Sequence, residues 1–228
     1  MDVRKFSADV NDLARKACRN DGDEVRSKVL DTAAMLVGLY KKNLVKINHS
    51  ALELVCARSL IKQGYDVKVE HRLNEQLVCD VFGRRGDGAL IVEIETGFIP
   101  PEAALEPQVY AKSRIASKIA RYSKFAGNFA LGTTPSYVLD FAPFFVKPPG
   151  ERTAAEAAEI KKLTDIYYDK PPISLSDLTH SRVHSVFIID VDDASTEEVD
   201  PAVYVRNAEV FTERRSGNSE SRSDMPVR

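Results

Sequence analysis

Apolar residues recur at helical spacing along the first quarter of the chain and then give way to short β-branched runs. Residues 1–47 read as helical, most strongly over Asp23–Lys41, where Val25, Val29, Ala33, Leu36, Val37 and Tyr40 approximate the period of an amphipathic helix. Asn48-His49-Ser50 offers N-cap chemistry ahead of a second helix at 51–62, which Gly64 ends. Its apolar face is Leu52, Val55, Cys56 and Leu60, with Glu53 on the border of that face. Strands are predicted at 66–71, 76–82 and 89–95, each apolar or β-branched and bounded by turn residues that include Gly83, Gly86 and Gly88. After Pro100-Pro101, Ile115, Ile119, Tyr122 and Ala126 predict a helix over 108–126, stopped by Gly127, and 128–132 reads as a short strand. The predicted order is helix, three strands, helix, strand.

Beyond Thr133 the pattern is less regular. Phe141-Ala142-Pro143-Phe144-Phe145-Val146 is strongly apolar but interrupted by proline, so it either caps the core or meets a partner. Residues 153–168 predict a helix and 185–191 a strand, whereas Ser, Arg, Glu and Gly dominate 212–228 and leave little to bury, as in a disordered tail. The expected division is an N-terminal helical extension (1–47), an α/β core (48–145), helix and strand elements packed on that core (146–211) and the tail (212–228). No internal repeat is visible.

With 43% apolar and 29% charged residues among 228, the composition is that of a globular protein with a sizeable core. No apolar run approaches a membrane span, and residues 1–23 are charged throughout, without a signal-peptide core. Cys18, Cys56 and Cys79 are widely separated and form no CxxC pair, which points to a reducing, intracellular (cytoplasmic) setting. The net charge of −2 conceals an uneven distribution. No acidic residue lies between Glu106 and Asp140, a window that carries Lys112, Arg114, Lys118, Arg121 and Lys124. Asp190, Asp192, Asp193, Glu197, Glu198 and Asp200 form an acidic stretch that lacks the glycine and terminal glutamate of a calcium loop and reads as a solvated loop.

Carboxylates interrupt the predicted core strands. Asp80 closes the run Leu77-Val78-Cys79, and Glu93 and Glu95 lie two residues apart in Ile91-Val92-Glu93-Ile94-Glu95. Side chains alternate along a strand, so Glu93 and Glu95 share a face with Cα atoms about 7 Å apart, and Asp80 joins them if the strands pair. Carboxylates at the ends of buried strands are costly unless something cationic offsets them, and oxygen ligands of this kind suit Mg²⁺.

In this order, Glu53, Asp80 and Glu93 resemble the acidic residues of the PD-(D/E)XK nuclease superfamily, whose restriction-endonuclease-like fold is an αβββαβ core with a mixed central sheet flanked by helices. Glu53 matches the helix glutamate, Asp80 the strand aspartate and Glu93 the first residue of the (D/E)xK triplet. Lys118-Ile119-Ala120-Arg121-Tyr122 matches the (Q/K)xxxY motif of the RecB-type branch. The resemblance covers roughly residues 49–133. It implies a metal-dependent nuclease (a hydrolase of DNA phosphodiester bonds) in DNA repair, recombination or defence, with Mg²⁺ or Mn²⁺ as cofactor. DNA is the implied partner, and homodimerisation through the segment 141–146 would accord with the many relatives that cut as dimers.

One position departs from the pattern: Glu95 stands where the family has lysine. A glutamate supplies no positive charge, but it can bind a second metal or accept a proton from the attacking water. A minority of restriction enzymes have ExE at this position and are active. A helix lysine can also reach the site, Lys118 first because it lies one turn from Tyr122, and Lys112 second. The resemblance thus implies that Asp80, Glu93, Glu95 and Glu53 hold metal, with the Ile94 carbonyl as a further ligand. Lys118 and Tyr122 would contact the scissile or an adjacent phosphate, and Lys112, Arg114 and Arg121 the nucleic-acid backbone. Plainer readings stand beside these: Glu53 as a salt-bridged helix residue, Asp80 as the start of a turn, Lys118 as surface and Tyr122 as core, and the basic stretch as a solvated face. His49, His71, His180 and His184 show no metal-ligand pattern and read as structural. The alternative to an enzyme is a catalytically inactive nuclease-fold module that binds nucleic acid or serves assembly. A partner-binding protein without a nucleic-acid role is a third.

Overall fold

The computed structural model describes residues 2–45 and 47–208. Three helices come first: α1 (Val3–Ala17), α2 (Asp23–Lys41) and α3 (Ile47–Lys62). They are followed by β1 (Asp66–Arg72), β2 (Val78–Arg85), β3 (Gly88–Glu95), α4 (Pro107–Tyr122) and β4 (Asn128–Thr133). Then come α5 (Ala154–Asp165), α6 (Leu175–His180), β5 (Ser185–Asp190) and β6 (Ser195–Val199), with a helical segment at 201–208. The run α3 to β4 reproduces the predicted order of helix, three strands, helix and strand. The expected tail at 212–228 lies outside the described residues. No helix among those described is long and apolar enough to cross a membrane.

The chain is an α/β protein built on a six-stranded mixed sheet of order β1-β2-β3-β4-β5-β6. β1, β2 and β3 form an antiparallel meander; β4 and β5 add in parallel to β3, and β6 closes the far edge antiparallel to β5. The parallel steps need crossovers, which α4 and the α5–α6 region supply. These crossover helices cover one face of the sheet, and α1, α2 and α3 cover the other. On one face Val81, Leu90, Val92, Ile94, Ala130, Phe187 and Ile189 pack with α1, α2 and α3. On the other, Ile91, Phe129, Leu131 and Val186 pack with Ile115 and Ile119 of α4, Ile160 of α5 and Leu178 of α6. β3 is buried from Leu90 to Glu95 because it has a strand on each side and helices above and below.

Several details differ from the sequence expectation. The N-terminal region is two helices broken at 18–22, and α3 begins at Ile47, four residues before the expected start, so Asn48, His49 and Ser50 are helical. The acidic stretch is not a loop throughout: β6 lies within it as a solvent-facing edge strand, which a charged sequence can form because only its inner residues need be apolar. Phe141, Phe144 and Phe145 are buried in the second core. The segment 141–146 caps that core.

Candidate functional site

The carboxylates meet where β2 stops following the sheet. β2–β3 pairing runs from Arg85↔Gly88 to Val81↔Val92, and Cys79 then packs on the opposite face from Val81. Strict alternation would place these two residues on one face. The strand therefore turns over at Asp80, opposite a stretch of β1 where Glu70 takes a left-handed backbone with φ 47°. Freed from the ladder, the Asp80 carboxylate accepts the Ile94 N–H through Oδ2 at 2.6 Å, and the Asp80 N–H donates to Glu93 Oε1 at 3.2 Å. Side-chain bonds replace the missing backbone pairing and fix the two carboxylates against each other.

α4 delivers the cations. Arg114 and Lys118 are one turn apart and share the helix face that looks onto Glu93 and Glu95. Lys118 Nζ lies 2.7 Å from Glu95 Oε1, 3.0 Å from Glu93 Oε2 and 3.6 Å from Asp80 Oδ2, and it donates to the Ile94 carbonyl at 3.2 Å. Arg114 Nε reaches both Glu95 oxygens, at 2.8 and 3.0 Å, and Arg114 Nη1 donates to the Tyr110 hydroxyl at 3.3 Å. The Lys118 ammonium thus stands beside the acidic pair and arrives from α4, not from β3. It also holds the Ile94 carbonyl named above as a metal ligand. Tyr122, the next turn of the same face, is half-buried against the second core.

Glu53 approaches from α3. It is fully buried, and neither of its carboxylate oxygens has a hydrogen-bond partner among the described residues. His49, one turn earlier on α3, brings Nδ1 to 4.0 Å from Asp80 Oδ1. One ligand atom from each of His49, Glu53 and Asp80 falls within 4.8 Å of the others. The sequence pattern starts this helix at 51 and leaves His49 without a metal-ligand partner; with α3 beginning at Ile47, His49 and Glu53 are an i,i+4 pair on one face.

The electrostatics divide the site in two. Burial holds the Glu53 carboxyl well above the usual carboxylate range, with Asp80, Glu70 and Glu93 adding to the effect. Burial, then Asp80, raises Glu93 to about 8, although Lys118 opposes the shift. Burial alone would lower the Lys118 ammonium, but Glu93, Asp80 and Glu95 outweigh it and hold the ammonium well above its ordinary value. Burial, then Glu93, also pushes the Tyr122 phenol up. On the α4 side, carboxylates and cations neutralise one another. On the α3 side, the buried Glu53 oxygens accept no hydrogen bond among the described residues, and Lys118 offsets the burial only in part.

That imbalance is the test of fit for a metal. Oxygen ligands from Glu53 and Asp80, with the His49 imidazole, form a donor set that a divalent cation satisfies, and Glu53's unpartnered oxygens are what such an ion would occupy. The residues fit a divalent cation. Glu95, placed among the metal ligands by the sequence resemblance, is instead covered by Arg114 and Lys118.

The other predicted phosphate contacts are arranged differently. Arg114 is turned inward onto Glu95. Arg121 donates to the Pro171 and Tyr168 carbonyls, at 2.8 and 3.4 Å, and ties the segment after α5 to α4. Lys112 is about half exposed and pairs with Asp140 at 3.2 Å. Lys112 therefore remains the outward cation of the predicted set.

No family model and no curated protein matches the chain. Among solved structures, a protein of unknown function from Silicibacter pomeroyi is similar over 77% of this chain and 93% of that one, at 14% identity and a TM-score of 0.32. At that score the likeness carries no argument.

Proposed function

We propose that the protein is a metal-dependent nuclease of the restriction-endonuclease-like class, hydrolysing DNA phosphodiester bonds in an intracellular setting. The observation that carries this reading is the meeting of Asp80, Glu93 and the Lys118 ammonium at the carboxyl end of β3, with the unpartnered Glu53 carboxylate on the α3 side. Glu53, Asp80 and His49 would hold Mg²⁺ or Mn²⁺, with Glu93 beside them. The bound ion would supply a lowered pKa for the attacking water and polarisation of the phosphoryl oxygens. Lys118, with three donors on a buried stem, would bind a non-bridging oxygen and stabilise charge developing around phosphorus. Asp80 is oriented for its task by the Ile94 N–H. Lys112 would meet a neighbouring phosphate; its exposed ion pair with Asp140 is weak enough to exchange.

The test is incubation with supercoiled, linear, branched and single-stranded DNA in Mg²⁺, in Mn²⁺ and in chelator. Cleavage is expected with metal alone and is expected to fall by roughly 100-fold or more in Asp80→Asn and in Lys118→Gln. A second reading, a nucleic-acid-binding module without catalysis, is favoured by the way Lys118 and Arg114 already neutralise Glu95. Salt-sensitive DNA binding without cleavage of any substrate would select it.

A further inference from the structure

Glu95 is the least expected residue of the site, and its surroundings assign it a task other than metal binding. Its side chain is 4% exposed, and both oxygens accept hydrogen bonds from cations carried by α4. The contrast with Glu53 is direct: both are buried glutamates, but one has two cations against it and the other has no hydrogen-bond partner among the described residues. A carboxylate covered by a guanidinium and an ammonium offers a metal little, because a divalent ion would have to displace an ion pair already desolvated.

We infer that Glu95 and Arg114 are positioning residues that hold the Lys118 ammonium against Glu93 and Asp80. The inference rests on the nuclease reading for what Lys118 does once held. Lysine is a long, flexible side chain, and fixing its ammonium takes a carboxylate that is itself fixed. β3 fixes Glu95 through its pairing with Thr133 of β4, and Arg114 fixes the carboxylate through Nε. Arg114 is in turn oriented by Tyr110, whose ring packs edge-on against Tyr167 at 5.2 Å. A strand lysine would reach the acidic pair from its own strand; a helix lysine needs this Glu95–Arg114 pair to bring it there. The glutamate thus completes a relocated lysine site.

The experiment compares the wild type with Glu95→Gln, Arg114→Gln and the exchange Glu95→Lys/Lys118→Gln, which returns the amine to β3. Manganese stoichiometry is read by calorimetry, and the Lys118 ammonium by its ¹⁵N-resolved NMR signal, which is visible only when proton exchange is slowed by fixed acceptors. Expected results are unchanged Mn²⁺ stoichiometry in all variants, a Lys118 signal in the wild type, and loss of that signal in Glu95→Gln and Arg114→Gln. With DNA, kcat should fall roughly 10- to 100-fold in both single variants with KM little changed, and the exchange variant should exceed Lys118→Gln. Loss of one Mn²⁺ equivalent in Glu95→Gln would overturn the inference, as would a Lys118 signal absent from the wild type or unchanged in the single variants. If no DNA is cut by any form, the nuclease reading fails while the calorimetric and NMR readouts still decide the positioning role.

Discussion

Glu53 on α3 and Asp80 on β2 bring carboxylate oxygens within 4.8 Å of each other, and neither Glu53 oxygen accepts a hydrogen bond from any described residue. Burial disfavours ionisation of Glu53, and the nearby Asp80 carboxylate adds to the effect, so the Glu53 carboxyl is held well above the usual carboxylate range. A side chain that destabilises the fold by its presence, and that a divalent cation would satisfy, has the character of a ligand.

Replacing Glu53 with glutamine is therefore expected to raise the thermal midpoint in chelator, by relieving the buried acid, and to weaken Mn²⁺ binding by roughly 10-fold or more. His49→Ala should weaken Mn²⁺ binding in the same direction. Differential scanning calorimetry with and without Mn²⁺ checks both, since the metal-induced rise in midpoint should shrink in each variant. A Glu53→Gln protein with an unchanged metal-induced rise would remove Glu53 from the ligand set.

Proton linkage follows from Glu93. Its ordinary value is 4.5, and burial and Asp80 raise it to about 8 despite Lys118. Over that window the folded protein retains a proton that the unfolded chain has released. The contribution of Glu93 to stability is then present at acid pH and is lost as pH rises toward 8. Without metal, the unfolding free energy should decline across this window, and Glu93→Gln should flatten the slope. A metal that favours the ionised carboxylates of the site should displace protons near pH 7. Calorimetry in buffers of different ionisation enthalpy measures that release, and a release of zero would contradict it.

A third expectation concerns the fold. Arg58 on α3 donates to both oxygens of Asp21 at 2.6 and 3.0 Å, and also to the Ala194 carbonyl, joining the α1–α2 turn to the β5–β6 hairpin. The hydrogen bond from Arg58 holds the Asp21 carboxyl below its ordinary value. Its contribution is complete above that ordinary value and disappears as pH falls through the lowered one. Asp21→Asn should lower stability at pH 7 and have less effect at pH 3. Arg58→Ala should cost about 3 kcal/mol at pH 7, because it leaves a buried carboxylate without its main partner. Urea unfolding at the two pH values checks both.

Much of the site could be read from the chain because periodicity reports which side chains share a face. The two-residue spacing of Glu93 and Glu95 placed them together, and the four-residue spacing of Lys118 and Tyr122 placed both on one stripe of α4. His49 escaped because Asn48-His49-Ser50 looks like a cap, and helix starts are poorly marked when several cap-forming residues occur in a row. The inward turn of Arg114 could not be read either: an arginine on an amphipathic helix looks the same whether it faces solvent or a buried glutamate on a neighbouring strand. β6 was hidden by Glu197 and Glu198, whose charge suggests a loop unless the strand is known to be an edge. The reversal of β2 at Asp80 depends on pairing with β1 and β3, which no local pattern encodes.

The most direct test of the central claim is anomalous scattering from crystals of the protein soaked with Mn²⁺. The expected result is one manganese peak per chain among Glu53, Asp80 and His49, with Lys118 still against Glu95. No manganese at that site at saturating concentration, or a peak in which Glu95 replaces Glu53 as ligand, would contradict it.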